Sequence, residues 1–331
     1  MKSSDALAAW LADPEAQSRS FRSVHAFAQS WARHPLVADT ERALAALEEK
    51  TPEAVIDVAR AFMDRRGEID ALMRELLESS ARDPFFHPPF HPMSSDIHDA
   101  FLLYHDSDLS IALGATPVDM LAAKKAGPRG ATSIGFTGVT TVYRFLRAGG
   151  ATLSFWEAPP ITDLFDSSQA GQVRFVERRA IQDGEEIVVD GRHQSFVIDH
   201  AGSEMILLQA LVRVGAAPVS IEYDSKTMSF IGASSTDEES SRVQMMVSLL
   251  RNMDREDAVP LIVEALDSPY FYTRWHVMRE LLALDADAAL PHLRLMAAGD
   301  PHPDVRATAA QTLQLFFADA PAEAGDAPCP A

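Results

Sequence analysis

Histidine is the commonest metal ligand and the one side chain that titrates near neutrality unaided, so the eleven histidines are where chemistry is sought first. His87, His91, His98 and His105 gather in one stretch. A His-x3-His pair can hold a metal when a helix puts both rings on one face. Here Pro88, Pro89 and Pro92 interleave with the pair and exclude a helix, so the spacing loses its meaning. His105-Asp106-Ser107 carries the side chains of a hydrolase triad, but three adjacent residues cannot converge on one another. The chain has no Gly-x-Ser-x-Gly turn and no glycine-rich phosphate loop opening a helix. Its single cysteine, Cys329, sits in a Pro/Ala tail, which excludes an intrachain disulfide and gives the thiol nothing to activate it. A different chemistry is offered by Tyr270-Phe271-Tyr272 and Trp275. Helical spacing sends Trp275 into a hydrophobic stack, but three consecutive aromatics at a turn exceed what packing requires. Exposed aromatics of this kind are candidate anchors for a protein partner.

The elements that would position these residues follow from composition. The chain has 331 residues, 47% of them hydrophobic, which allows two or three domains with buried cores. Against 48 Asp+Glu stand 29 Lys+Arg, a formal net charge of -19. Such a chain repels phosphate backbones, and its densest basic stretches, Arg174-Arg178-Arg179 and Lys124-Lys125-Arg129, are short, so nucleic acid is not expected as a partner. No run of 18 apolar residues occurs, so no membrane span is expected and the protein reads as cytoplasmic. Residues 1–82 have helical apolar spacing, for example Val55, Ile56, Ala59 and Phe62, and read as a helical bundle. Within it Thr51-Pro52-Glu53 is a helix start: a hydroxyl cap, proline in the first turn, then an acid at the positive dipole end. Residues 83–95, with prolines at 84, 88, 89 and 92, forbid helix and strand pairing alike and read as an extended linker held by its phenylalanines. Residues 96–234 hold short Val/Ile/Phe/Thr-rich runs separated by Gly, Pro and Asp, at 100–113, 140–147, 151–157, 173–180, 185–189, 194–200, 205–214 and 218–224. They predict an antiparallel sandwich or barrel, with one helix at 117–126.

Residues 235–318 repeat internally. Arg242, Arg274 and Arg306 recur with a period of about 32, and Leu249, Leu281 and Leu313 keep the same interval. Ala258-Val259-Pro260-Leu261 is echoed by Ala289-Leu290-Pro291-His292. Each unit reads as helix, turn, helix, with proline in the first turn of the first helix and arginine opening the second. Positive charge at a helix start is disfavoured, so the recurring arginines imply acidic neighbours, with Asp267 and Asp300 the nearest and Asp300 paired to Arg306. The turn Asp300-Pro301-His302-Pro303-Asp304-Val305-Arg306 resembles that of the HEAT repeat family. The resemblance implies stacked hairpins forming a solenoid that docks a protein partner. The tail 319–331 lacks apolar periodicity and is expected to be disordered.

In the middle region Gln182-Asp183-Gly184-Glu185-Glu186 through Asp190-Gly191-Arg192, followed by Ser195-Phe196-Val197-Ile198, resembles the second motif of cupin barrels. Placed on Gly184, that motif puts its proline at Asp190, its histidine at Ser195 and its asparagine at Asp199. Placed on Gly150, the first motif puts its histidines at Trp156 and Ala158 and its glutamate near Asp163. Trp, Ala and Ser cannot converge on a divalent ion, so the resemblance implies a barrel without its usual metal site. A displaced site using His193, His200 and one of His98 or His105 remains as the alternative, with Fe or another divalent metal as cofactor. The expected architecture is therefore α+β: an N-terminal helical bundle, a central cupin-like antiparallel β-barrel or sandwich, and a C-terminal α-solenoid of HEAT-like hairpins. The expected function is a non-catalytic binding, regulatory or accessory protein without cofactor. It would dock a protein partner through Tyr270, Phe271, Tyr272 and Trp275, with the barrel structural or holding a small ligand. The alternative is a metal-dependent cupin-type oxygenase or isomerase.

Overall fold

The computed structural model describes residues 4–94, 98–119, 133–162, 165 and 167–317. These form two compact units, one of residues 1–160 and 171–232, the other of 161–170 and 233–331. The expected helix at 117–126 lies mostly outside the described residues, as do Asp163 and the tail.

The first unit opens with five helices: α1 (Ser4–Ala12), α2 (Pro14–Ala32), α3 (Pro35–Ala45), α4 (Pro52–Met63) and α5 (Arg66–Arg82). The start of α4 is as the sequence predicts. Thr51 Oγ1 accepts from the Ala54 amide at 3.2 Å, with Pro52 first in the helix and Glu53 in the opening turn. The helices' apolar faces do not close on one another alone. Phe27, Leu36, Val55, Ala59, Phe62 and Leu72 share one core with Leu109, Ile111, Val142, Leu208, Ala210 and Val212 of the strands that follow. Each Val, Leu, Ile or Phe among them contributes about 1.5–3 kcal/mol by leaving water.

Twelve described strands follow: β1 (His91–Ser94), β2 (Asp99–His105), β3 (Leu109–Thr116), β4 (Ser133–Phe136), β5 (Thr140–Arg147), β6 (Thr152–Glu157), β7 (Arg174–Ala180), β8 (Glu186–Asp190), β9 (Gln194–His200), β10 (Met205–Val212), β11 (Val219–Asp224) and β12 (Phe230–Ser235). They build a six-stranded sheet in the order β1-β2-β3-β10-β5-β8 and two three-stranded sheets, β12-β11-β4 and β7-β6-β9. The pairs β1–β2, β2–β3, β3–β10, β10–β5, β5–β8, β11–β4, β6–β7 and β6–β9 are antiparallel. Strand alternation gives the large sheet two working faces. Val142, Leu208 and Ala210 face the helices, whereas Tyr143, Phe145, Leu207 and Val189 pack with Leu153, Phe155 and Phe196 of β6 and β9. Arg60 of α4 and Arg144 of β5 both grip Glu186 of β8, at 2.8 and 2.6 Å. Burial pushes the Glu186 carboxyl up, and the two guanidiniums more than offset that, holding it below its usual range.

Two local expectations are corrected here. The proline segment does bury Phe86 and Phe90, but His91–Ser94 also pairs with β2, with Pro92 opposite Phe101. β1 is an edge strand, where a missing N–H costs no ladder bond. The single run at 100–113 is a hairpin, because Asp106 Oδ1 accepts from the Asp108 and Leu109 amides at 2.8 Å each and turns the chain.

The second unit contains α6 (Glu238–Asn252), α7 (Val259–Glu264), α8 (Phe271–Leu284), α9 (Ala286–Gly299) and α10 (Pro303–Phe316). Val247, Ile262, Val277, Met278, Leu281, Leu293 and Ala309 form its core. Leu281, at 0% exposure, stands as expected, but Leu249 is 58% exposed. Helix α6 meets α8 through Gln244, Val247 and Ser248 instead. Pro260 lies in the opening turn of α7. Pro291 does not open α9 but sits inside it, because Asp285 caps the helix earlier by accepting from the Ala288 amide at 2.9 Å.

Candidate functional site

The barrel positions were tested first. Trp156 pairs directly with Ser195 across β6 and β9, and the Ala158 amide donates to the His193 carbonyl at 3.0 Å, so the cupin-motif positions are indeed brought side by side. What they bring together is an indole edge-on to Phe175 at 5.3 Å and a hydroxyl that donates to the Gly135 carbonyl. Phe155, on the opposite face of β6, stacks toward Phe196 and joins the core. His193 sits at the β8–β9 turn, its Nδ1 3.5 Å from Asp190. His200 is exposed at the end of β9. His105 Nδ1 lies 2.7 Å from Ser110 Oγ. His98 Nδ1 lies 3.2 Å from Thr116 Oγ1, and burial lowers its affinity for a proton. Among the described residues, no group of three or more His, Cys, Asp or Glu could hold a metal ion. The four histidines are therefore not assembled into a ligand set.

The repeat aromatics are assembled, and more tightly than an exposed anchor would be. Tyr270 and Tyr272 stack at 5.5 Å, and Tyr272 OH meets Ser235 Oγ at 3.1 Å. Phe271 lies flat on His302 at 3.8 Å, and Trp275 packs against the core of the stack. All four are half-buried. Trp275 stands in the stack as its spacing predicts, while the turn aromatics close the hairpin and leave edges open.

The arginines form the polar frame. Arg274 and Asp300, 9% and 7% exposed, make a bidentate pair, Nε to Oδ2 at 2.8 Å and Nη2 to Oδ1 at 2.7 Å. Burial pushes the Asp300 carboxyl up, while Arg274 and the His302 amide hold it below the usual carboxylate range. The expected partner of Asp300 was Arg306, one helix on. Instead Arg306 reaches the Asp300 carbonyl, and the carboxylate bridges back to the preceding hairpin. One period earlier Ser268 stands where Asp300 does, and Arg242 there pairs only with Glu238 in its own helix. Asp267, the other expected acid, is exposed.

Residues 233–314 match the family of HEAT repeats. The match falls on the stacked hairpins and includes the arginine at each second helix. No curated protein sequence matches the chain. Solved structures that resemble it include ectoine synthase from P. lautus at 11% identity and TM-score 0.23, spanning 37% of this chain and 67% of that one. FeII HppE resembles it at 10% and 0.24, spanning 37% and 56%. A cupin domain from Bordetella pertussis Tohama I resembles it at 8% and 0.22, spanning 36% and 97%. Overlaps this partial leave the β-region described by its own strand order.

The HEAT-like repeats carry one surface that the sequence reading missed. Met245, Met246, Leu249 and Met253 run down one face of α6, each more than half exposed and Met245 71% exposed. Their spacing of three, four and eight residues puts them in a single stripe. The opposite side of α6 is used inside the stack: Gln244 Nε2 donates to Thr273 Oγ1 at 3.0 Å, and Ser248 Oγ lies 2.9 Å from His276 Nε2. The missed signal was readable: Met245 and Met246 are adjacent, Leu249 lies four residues after Met245 and Met253 four after Leu249, an apolar line on an otherwise polar helix face. No described helix is long and apolar enough to cross a membrane.

Proposed function

We propose that this protein is a non-catalytic docking or accessory protein whose HEAT-like repeats bind a protein partner across the methionine-leucine face of α6. HEAT repeats are a protein-interaction module, and the observation that carries the finer reading is the stripe Met245, Met246, Leu249 and Met253. Methionine is flexible and polarizable and adapts to irregular apolar partners. A contiguous exposed apolar stripe on a water-soluble surface marks an interaction site. The partly open edges of Tyr270 and Tyr272 add to it, while Phe271 and Trp275 support the hairpin. The β-region in this reading is structural or holds a small ligand. The test replaces Met245, Met246 and Leu249 with serine in the full chain and measures affinity for a partner recovered from the native host. Loss of at least about 2 kcal/mol is expected for a central apolar cluster, with unchanged far-UV circular dichroism. Unchanged affinity in a folded variant removes the face from the account. Loss of binding on replacing His193 and His200, together with metal dependence, would move the site into the β-region.

A further inference from the structure

Arg274 and Arg306 are held alike but completed differently. Arg274 Nη1 donates to the Ser268 and Pro269 carbonyls, six and five residues back, and its remaining edge forks the Asp300 carboxylate of the next turn. Arg306 Nη1 donates to the Asp300 and Pro301 carbonyls, again six and five residues back. The turn thus fixes the Arg306 guanidinium in the pose that Arg274 has. Among the described residues, however, no carboxylate lies within 4.0 Å of Arg306 and its Nε and Nη2 find no acceptor. The side chains that follow each arginine along its helix show the same contrast. Arg274, Met278 and Leu281 are all buried by the hairpin stacked on them, whereas Arg306, Ala310 and Leu313 are half-buried. Beside this stripe Ala307, Gln311 and Gln314 are exposed, and Asp304 is the helix's one acid. Among its described residues α10 is therefore neutral in a chain of net charge -19, and an acidic group can approach it.

We propose that this face of α10 docks a partner protein presenting an aspartate or glutamate at a turn between two helices, its carboxylate forking Arg306 as Asp300 forks Arg274. The proposal rests on the docking reading of the repeats and names the chemistry of the partner. A guanidinium already fixed by two carbonyls loses little rotamer freedom on binding, and its planar edge matches a carboxylate bidentately. The apolar stripe supplies the neighbouring contact, with the Arg274–Met278–Leu281 face as the internal template.

The test uses the full chain with acetate as the carboxylate probe and chloride at equal ionic strength as control. The arginine Nε–H resonances are followed by nitrogen–proton correlation NMR. The Arg306 resonance, assigned by its loss in Arg306→Gln, is expected to move saturably with acetate and not with chloride, while that of Arg274 stays. An Arg306 resonance that stays still, or moves equally with chloride, overturns the proposal. So does a response that appears only after residues 318–331 are removed, since the chain's own acids would then fill the fork. Against a recovered partner, Arg306→Gln is expected to lower affinity about tenfold or more, with a partner Asp→Asn variant losing no further affinity in the Arg306→Gln background. If Arg306→Gln leaves affinity unchanged while Met245→Ser with Met246→Ser abolishes it, the docking reading stands and this proposal falls.

Discussion

The β-region and the repeats both hold positions that the sequence singles out, and the two treat those positions differently. In the β-region, strand pairing sets Trp156 beside Ser195: the indole packs on Phe175 with its buried Nε1–H lacking an acceptor among the described residues, and the hydroxyl donates to the Gly135 carbonyl. Its strong charges, Arg60, Arg144 and Glu186, satisfy one another between helix and sheet. In the repeats a few groups are left over from packing, namely the α6 stripe and the outer edge of Arg306. The contrast lies in the charges: those of the β-region face one another, whereas in the repeats an apolar stripe and a guanidinium edge stay open.

The largest effect expected in breaking this contrast concerns the buried ion pair. Arg274→Ala should cost about 3–5 kcal/mol, because Asp300 is left charged and buried, whereas Arg242→Ala at the exposed counterpart should stay within about 0.5 kcal/mol. Denaturant titration of both variants checks it. The pair also gives a pH signature. Asp300 titrates below its ordinary value when folded, so its contribution is complete above the unfolded carboxyl pKa of about 3.9 and is lost as pH falls through the folded value. The deficit of Asp300→Asn relative to the parent should therefore be largest at pH 6 to 7 and shrink below about pH 4. A deficit that does not change with pH would mean the carboxylate is not ionised in the fold.

Next in size are two packing tests. Leu281→Ala should cost about 2–5 kcal/mol, and Leu249→Ala, its exposed equivalent, less than about 0.5 kcal/mol. Equal costs would show that α6 is covered on its outer side within the protein. In the turn joining β5 to β6, Gly149 and Gly150 have φ of +61° and +66°. A Cβ at Gly149 would collide with the Ser203 carbonyl, while one at Gly150 meets nothing within 4 Å. Gly150→Ala should thus cost about 1 kcal/mol from conformation alone, and Gly149→Ala clearly more. The smallest effect sharpens the comparison from the other side. His200→Ala should change stability by less than about 0.5 kcal/mol, and chelator should leave the thermal midpoint where it was. A midpoint that rises with iron and falls with chelator would restore a metal to the β-region.

Much of this was written in local patterns. Thr51-Pro52-Glu53 started a helix because all its determinants lie within one turn. The arginine and leucine period announced the stacked hairpins because repetition shows a geometry several times. The runs at 140–147 and 194–200 fall on β5 and β9. What was not legible depended on distant partners. Nothing near Pro92 says that β2 offers it an edge, and nothing near Leu249 says that α6 meets α8 through Gln244 and Ser248 instead. The pairing of Asp300 was misassigned to Arg306 by nearness in sequence, when the deciding fact was stacking, which carries Arg274 across from the previous hairpin. At the candidate site the aromatics were visible from residue type, but their half-burial was not, because it depends on Ser235 and His302.

The Asp304 amide donates to His302 Nδ1, so the ring's proton is on Nε2, which donates to the Phe165 carbonyl at 2.9 Å. Phe165, with Ile161 and Ala170, is buried, and residues 161–170 belong to the repeat unit although they lie between β6 and β7 in the chain. The matched family segment is thus not a cassette. A gene fragment beginning at residue 233 would encode every hairpin yet omit a wall of their housing, leaving a buried imidazole donor with no acceptor. Exchange of these repeats between proteins would need a two-part graft, and a protease cutting once near residue 232 would nick the chain without releasing anything.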